Sequence, residues 1–369
     1  MQEAEPLQQV HRTYVRVRGR QLTYFSGCDY FRLASHPRLL TAANRGLHRL
    51  GLNVAASRVT TGNHPVYVEL ETALARFFEA EAALLVPTGY LTGMIIAQAL
   101  AGSVSHALVD DQAHAALHDA ARFLDCPVLQ FESCNLQALA LKVHRCGPGA
   151  RILLLTDGMF ARDGAAAPLG RYLEVLPKDA WLLVDDAHGA GILGFNGRGT
   201  LEHTGVNRSR IIQTITLSKA FGAYGGAILG TSALRRRIIQ NSRLFIGSTP
   251  LPPPLANAGL EAVRLMSTHG SRLRSALLRN AGFVKDGLRR AGVPVPELPG
   301  PIVRIVPRNK AETERLSKML LRANIYPPLT RYLPTSGNGY YRFVISSQHS
   351  PRQLESLLRV LVRFYQART

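Results

Sequence analysis

The chain has 369 residues, of which 46% are hydrophobic and 19% are charged, as is ordinary for a globular protein of two or three domains. No apolar run reaches the roughly 18 residues that a membrane-spanning helix requires. The first twenty residues also lack the apolar stretch of a secretory signal. The sequence therefore predicts a cytoplasmic protein that does not associate with membranes.

The formal net charge of +19 is unusual, because 44 Lys and Arg residues face only 25 Asp and Glu residues. Such a charge can favour binding to nucleic acid, to a membrane surface, or to an acidic substrate or partner. The basic residues are dispersed, apart from short clusters at 235–237 and 289–290, and no nucleic-acid-binding motif is present. A phosphate-rich substrate or an acidic carrier protein is therefore favoured over nucleic acid.

The four cysteines are Cys28, Cys126, Cys134 and Cys146. Their spacing matches neither a metal site nor a dense disulfide framework. Reduced thiols, as in most cytosolic proteins, and no bound metal are predicted.

In chain order, the sequence first predicts a short strand over 22–25, a helix near 37–50 and a helix over 66–79. Strands and helices then alternate, with a helix over 91–100. The apolar runs that predict strands lie at 82–87, 106–111, 151–158, 181–189 and 211–222. Continuous Val, Ile and Leu runs between helices are typical of a mostly parallel sheet covered on both faces, whose ligands bind at the carboxyl ends of the strands.

The rest of the chain predicts a long helix over 255–292, a strand over 302–307, a helix over 311–324, a strand over 341–346 and a helix over 351–366. This pattern is typical of a smaller α+β domain. The predicted organisation is an α/β fold in three parts: an N-terminal segment (1–45), a large domain (46–240), and a small C-terminal domain with a long linking helix (241–369).

A lysine lies near the end of the last apolar run of the large domain, in Thr216-Leu217-Ser218-Lys219. Burial at a strand end lowers the pKa of an amine, which suits Schiff-base formation. The hydroxyls of Thr216 and Ser218 can bind a phosphate, and the glycines that follow let the backbone approach it closely. The same segment also fits an ordinary strand with an exposed loop lysine.

The preceding apolar run ends in Asp185-Asp186-Ala187-His188. A carboxylate at a strand end can keep a pyridinium nitrogen protonated, which is the electron-sink requirement of pyridoxal phosphate (PLP) chemistry. His188 can reach a phenolic oxygen or move a proton. A structural Asp with a solvent-facing His, and a metal site, are the alternatives.

Two weaker signals complete the set. The imidazole of His114 could stack on a cofactor ring, although a lone His is more often structural. Thr88-Gly89-Tyr90 precedes a helix, and the amides at a helix start bind phosphate well.

The order of these segments resembles the α-oxoamine synthase family of fold-type I PLP enzymes, from about Tyr24 to the C-terminus. The matching segments are HPRLLTAA, SRVTTGNHPVYVELE, TGY, AHAAL, GMFARDGAAAPL, VDDAHGAGILGFNGRG, TLSKAFGAYGG, GSTPLPPP and YYRFVISSQHS. The resemblance implies a seven-stranded, mostly parallel sheet between helices and a smaller C-terminal domain.

The resemblance also implies roles. Lys219 would hold PLP as a Schiff base, Asp185 would pair with the pyridinium nitrogen, His188 would bond the phenolic oxygen, and His114 would stack on the ring. The residues implied to hold the phosphate or its surroundings are Thr88, Gly89, Tyr90, Thr216 and Ser218, with Ser248 and Thr249 from a second subunit. Arg342 would bind the carboxylate of the amino-acid substrate.

The implied reaction is a decarboxylative condensation of a small amino acid, such as L-alanine, with an acyl-CoA or acyl-carrier-protein thioester, which yields an α-amino ketone. A homodimer with a shared active site is implied as well. An aminotransferase, an aldolase-type lyase, a secondary-metabolite acyltransferase and a non-enzymatic basic binding protein remain as alternatives.

The chain departs from the family pattern at several positions. Ala161 replaces a Ser that bonds the phenolic oxygen of the cofactor. The other departures, expected near the substrate side of the site, are Cys28, Asn53, Ala55, Tyr67 and Gly93. The cofactor is therefore better defined by the sequence than the acyl group.

Overall fold

The computed structural model describes residues 5–330 and 339–368. The first elements are β1 (Gln8–His11), β2 (Tyr14–Val17), β3 (Arg20–Thr23), α1 (Pro37–Leu50) and α2 (Pro65–Phe78). The alternating part comprises β4 (Ala82–Val86), α3 (Thr92–Leu100), β5 (His106–Asp110), α4 (Ala115–Ala121), β6 (Val128–Phe131), α5 (Leu136–Arg145), β7 (Ile152–Asp157), α6 (Leu169–Val175), β8 (Trp181–Asp185), α7 (Thr200–Thr204), β9 (Ile211–Thr216) and β10 (Gly226–Gly230). The last elements are α8 (Ser232–Asn241), α9 (Arg243–Ile246), α10 (Pro253–Arg290), β11 (Ile302–Ile305), α11 (Lys310–Arg322), β12 (Leu329–Thr330), β13 (Tyr340–Val344) and α12 (Pro351–Gln366).

The chain forms two compact units. The larger unit comprises Leu33–Ala161 and Ala165–Ser271, and the smaller unit comprises the described residues up to Arg32, Arg162–Gly164 and those from Arg272 onward. These divisions differ from the predicted ones at residues 45 and 240. The N-terminal strands belong to the smaller unit because the Thr23 amide donates to the Asn324 carbonyl at 2.7 Å.

The larger unit contains a seven-stranded sheet in the order β4-β10-β9-β8-β7-β5-β6. Strands β5 to β9 are parallel, and β10 is antiparallel to both of its neighbours. The predicted fold-type I architecture is confirmed by this sheet together with the smaller antiparallel sheet described below.

The central strands are apolar throughout because both faces of the sheet are covered. Leu153 and Leu155 of β7 pack into one core with residues of α3 and α4. Leu154 packs into the opposite core with Tyr172 of α6. Since successive strand residues point to opposite faces, a strand buried on both sides lacks polar alternation.

In the smaller unit, a three-stranded antiparallel sheet has the order β11-β13-β12, and β1, β2 and β3 form a second small sheet. One apolar core includes Phe25, Val284, Phe343 and Phe364. Helix α12 begins where predicted, because Ser350 and Gln353 form a capping box before an amphipathic segment.

The main helices were predicted to within about three residues at each end, whereas several strands were not. The predicted strand at 22–25 is β3 at Arg20–Thr23, and the runs at 181–189 and 211–222 leave the sheet at Asp185 and Thr216. Strands β1, β2, β6 and β12 were not predicted because they have four residues or fewer, and β10 was not predicted because glycines stand at both of its ends. Among the described residues, no helix meets the length and apolarity needed to cross a membrane, and no cluster of His, Cys, Asp and Glu could hold a metal ion.

Candidate active site

One cavity of the larger unit lies at the carboxyl ends of the parallel strands. Nine of the predicted site residues line it, together with Asp157 and two alanines. Its lining is Thr88, Gly89, Tyr90, His114, Ala116, Asp157, Asp185, Ala187, His188, Thr216, Ser218 and Lys219. Parallel strands present these side chains together because their carboxyl ends meet at one edge of the sheet.

Lys219 lies in the turn that follows β9. The amide of Leu217 donates to the Gly225 carbonyl at 2.9 Å, and the amide of Gly222 donates to the Lys219 carbonyl at 3.0 Å. Gly222 adopts φ of +61°, a conformation that favours glycine. These bonds fix a compact turn, so the half-buried Lys219 side chain is held beside the cavity rather than on a free loop.

The Thr88-Gly89-Tyr90 segment packs directly against Thr216. A Cβ built on Gly89 would lie 2.8 Å from the Thr216 Cβ, so only glycine allows this approach. Thr88 caps the short 3-10 turn Gly89–Leu91, which leads into α3. Two hydroxyls and the amides at a helix start thus converge at one end of the cavity, as a phosphate group requires.

Asp185 and Asp157 are paired across β8 and β7 and both line the cavity. Asp185 accepts from the amide of Ala187 at 3.0 Å. Burial raises the pKa of Asp185, against the opposing effect of Lys219. Asp157 is almost fully buried, and burial together with Asp185 raises its pKa well above the usual value. Asp157 was missed in the sequence because it ends a strand like many structural acids.

His114 caps α4 and is oriented by two bonds. Its Nδ1 accepts from the amide of Ala116 at 3.2 Å, and its own amide donates to Asp157 Oδ1 at 3.0 Å. Burial lowers the pKa of His114, which favours the neutral ring. Because Nδ1 accepts from Ala116, the proton of the neutral ring is assigned to Nε2. The Tyr90 ring contacts it edge-on, with centroids 6.0 Å apart. His114 therefore has a fixed ring plane.

The second acid of the pair, Asp186, does not line the cavity. It is fully buried and accepts from Thr200 Oγ1, the Thr200 amide and Gln213 Nε2, each at 2.7 Å. These bonds anchor the loop that carries His188, which is buried and lines the cavity.

Three predicted site residues lie elsewhere. Ser248 and Thr249 follow α9 and are not among the described residues that line the cavity. Their predicted role in a second subunit stays a prediction. Arg342 lies on β13 of the smaller unit, where its guanidinium nitrogens are 3.6 and 3.7 Å from Cys28 Sγ. Cys28, one of the departures from the family pattern, therefore contacts the arginine predicted to bind the substrate carboxylate.

Two other departures have structural roles within the larger unit. The Tyr67 hydroxyl donates to the Leu251 carbonyl at 2.6 Å in the buried core. Gly93 faces α4, where an added Cβ would lie 3.1 Å from the Ala120 Cβ. A larger residue at this position would therefore crowd Ala120 and Leu117 of α4.

The residues present fit PLP. The cavity offers an amine for a Schiff base, a carboxylate for a pyridinium nitrogen, an oriented imidazole, and hydroxyls with helix-start amides for a phosphate. This combination of groups suits an aromatic aldehyde that carries a phosphate better than it suits a metal ion. Fold and site together define a fold-type I PLP-dependent enzyme.

The comparisons with known proteins agree with this class. Residues 29–361 match the family model described as aminotransferase class I and II. The chain is 36% identical over 354 residues to an 8-amino-7-oxononanoate synthase of Thioalkalivibrio sulfidiphilus. The alignment covers 94% of this chain and 89% of that protein. It is 33% identical to another from Methylococcus capsulatus, over 95% of this chain and 90% of that protein.

A solved serine palmitoyltransferase from S. paucimobilis, with bound PLP-myriocin aldimine, superposes with a TM-score of 0.91. It is 25% identical, over 99% of this chain and 92% of that one. The chain therefore belongs to the aminotransferase class I and II family, as a PLP-dependent acyltransferase of the α-oxoamine synthase type. The predicted family, cofactor and enzyme class are confirmed.

Proposed function

We propose that the chain condenses L-alanine with a dicarboxylic acyl thioester, in the manner of an 8-amino-7-oxononanoate synthase. The observation that carries the proposal is the convergence of Lys219, Asp185, His114 and His188 on one cavity. The names of the relatives at 33–36% identity support this choice of substrate.

PLP, when bound, delocalises the negative charge left on the α-carbon of the amino acid. In this proposal the Asp185 carboxylate would keep the pyridine nitrogen protonated, and the His114 imidazole would stack on the ring. His188 bonds the phenolic oxygen. Thr88, Gly89, Tyr90, Thr216 and Ser218 hold the phosphate.

Lys219 performs the proton transfers. Once the amino group of alanine has displaced it from the cofactor, Lys219 Nζ would remove the proton from the α-carbon. That carbon would then attack the thioester carbonyl with release of the free thiol, and after loss of carbon dioxide a proton would return to it. Arg342 binds the alanine carboxylate, which fixes the amino acid before the thioester enters.

The biological setting is part of the same proposal. The product would serve biotin synthesis in the cytoplasm, with a homodimer as the active form. The thioester would be carried by CoA or an acyl-carrier protein, either of which is anionic and complements the charge of +19.

The test is an assay of the purified holoenzyme with L-alanine, glycine or L-serine, each with and without pimeloyl-CoA. We expect release of carbon dioxide and free thiol only when L-alanine and the thioester are both present. Lys219→Ala should abolish both signals, whereas Lys178→Ala, at an exposed loop position, should not.

Formation of pyruvate without the thioester would instead identify an aminotransferase, and the proposal would be abandoned. Faster turnover of glycine or L-serine, or of another acyl chain, would overturn the choice of substrate but not the family.

A further inference from the structure

A second cavity of the larger unit lies at the opposite edge of the same sheet. Ile152 and Trp181 are the first residues of β7 and β8, and Ile212 lies near the start of β9. These strands are parallel, so their starts are at the far edge from Asp157 and Asp185. This cavity, here called the rear cleft, is thus distinct from the candidate active site. Its lining is Leu100, Ser103, Val104, Arg151, Ile152, Asp179, Trp181, Ile212, Thr231, Ala233, Leu234 and Arg237.

The rear cleft has the size and composition of a small-molecule site. Its volume is about 370 Å³, within the range of roughly 300–1,000 Å³ that such sites occupy. Most of its lining residues are apolar. Ile212 is almost fully buried, while the Trp181 side chain remains partly exposed and can offer a flat surface to a ligand.

The charged residues of the rear cleft are two arginines and one acid. Arg237 is partly buried, and its Nε donates to the Ala99 carbonyl at 2.6 Å, which fixes the guanidinium in place. Arg151 and Asp179 are exposed. The lining therefore carries a net positive charge beside an apolar surface, which suits an anion with an apolar body.

We propose that the rear cleft binds a small amphipathic carboxylate with an unbranched apolar chain. The apolar chain of the ligand packs on Trp181, Leu100 and Val104, which are only partly buried, and the carboxylate is held by the guanidinium groups of Arg237 and Arg151. The proposal does not depend on the substrate assigned to the active site, because none of the residues that line that site takes part.

Trp181 is the single tryptophan of the chain, so all of the tryptophan fluorescence of the protein comes from the rear cleft. The holoenzyme is titrated with octanoate, acetate, octanol and octylammonium. We expect a saturable change with octanoate, a much weaker response to acetate and octanol, and none with octylammonium. Equilibrium dialysis with labelled octanoate measures the same binding without the fluorophore.

Three variants locate the binding. Arg237→Gln should weaken octanoate binding by about tenfold or more, since a charge-assisted bond is lost. Arg236→Gln is the matched control, because Arg236 is the exposed neighbour on α8 and is not in the described lining of the rear cleft. Ala233→Phe, at an exposed lining position, should fill the cleft and abolish binding without disturbing the fold.

Several outcomes would overturn the proposal. Unchanged octanoate affinity in both Arg237→Gln and Ala233→Phe would place the binding elsewhere, including the active site. Equal affinity for octanoate and octylammonium would remove the argument from charge. Absence of saturable octanoate binding by dialysis would show that the cleft does not take this class of ligand.

Discussion

At the scale of single residues, two consecutive acids have different roles: one lines the active-site cavity and the other stabilises the fold. Asp185 and Asp186 follow one another at the end of β8 and therefore point in opposite directions. Asp185 faces the cavity, whereas Asp186 accepts three hydrogen bonds in the interior. Burial raises the pKa of Asp186 to about 6 even with those donors in place.

We predict that Asp186→Ala lowers the free energy of unfolding by about 3 kcal/mol, because the partners on Thr200 and Gln213 lose their acceptor. Asp185→Asn should change stability by less than about 1 kcal/mol. It should reduce turnover at least about 100-fold, because the charge is lost while the acceptor for Ala187 remains. Urea unfolding and steady-state assays of both variants measure the contrast, and similar stability losses in the two would contradict it.

We predict that His349 makes the stability of the smaller unit depend on pH. It is buried, its Nδ1 accepts from the Ser346 amide at 2.9 Å, and its ring stacks on Phe25 at 4.1 Å. Burial, reinforced by the charge of Arg32, lowers the pKa of His349 to about 3. In the unfolded chain the pKa of His349 is near 6.5. Between about pH 3 and about pH 6.5, His349 is therefore protonated in the unfolded chain and neutral in the folded chain.

Stability should therefore fall as the pH drops below about 6.5, by up to about 1.4 kcal/mol per pH unit from this group. His349→Asn removes the titration, so its unfolding free energy should fall less between pH 7 and pH 5, although it starts lower. The exposed His48→Asn variant on α1 should keep the slope of the original chain. An unchanged slope in His349→Asn would exclude His349 as the source.

At the scale of elements, the approach of the 3-10 turn to β9 depends on one missing side chain. Gly89 and Thr216 are in contact at a distance that no Cβ could tolerate, and a Cβ on Gly226 of β10 would in turn lie 2.7 Å from the Gly89 amide nitrogen. Three elements thus meet at a single backbone position. Their contact places the Thr216 hydroxyl beside the 3-10 turn that leads into α3.

We predict that Gly89→Ala weakens PLP binding by about tenfold or more, since overpacking of this kind typically costs about 1–3 kcal/mol. The added methyl would push the turn away from Thr216. Gly170→Ala on α6 is the matched control, because its Cβ would meet no atom closer than 3.7 Å. Spectrophotometric titration of the apoenzyme with PLP measures both, and equal affinities would refute the packing argument.

At the scale of the whole molecule, the assembly of the active site is testable through Ser248 and Thr249. If these residues act in a second subunit, a variant lacking them and a Lys219→Ala variant are inactive for different reasons. Mixed dimers would then contain one intact site. Co-refolding the two inactive variants should restore about a quarter of the original activity, as expected for random pairing in a two-fold dimer.

The matched control is co-refolding of Lys219→Ala with Asp185→Ala, whose altered residues line the same cavity. This pair should restore no activity, because each site of the mixed dimer keeps one defect. Complementation by this pair, or none by the first, would contradict a shared site.

The net charge of +19 provides a second prediction at this scale. If it attracts an anionic thioester, raising the salt concentration from 50 to 500 mM should raise the KM for acyl-CoA and leave the KM for L-alanine nearly unchanged. The reason is that screening shortens the reach of surface charge from about 14 to about 4 Å over such a range. Steady-state kinetics at both salt concentrations measure the two constants. A thioester KM that does not change with salt would show that the net charge does not contribute to thioester binding.

The sequence by itself determined the class of fold and the cofactor chemistry, because both depend on local features in a fixed order. Apolar runs without alternation predict a buried parallel sheet, and the four residues Lys219, Asp185, His188 and His114 each lie near the end of such a run or the start of a helix. The amphipathic helices were found for the same reason, since their periodicity is contained in the segment itself.

Only the tertiary structure decided which of these groups share a cavity and which acids are structural. Asp157 joins the site through pairing of β7 with β8, and the rear cleft is formed by residues from five separate parts of the chain. The contact of Cys28 with Arg342 joins residues more than 300 positions apart. Such contacts arise from packing between distant segments, and no local pattern in a single sequence records them.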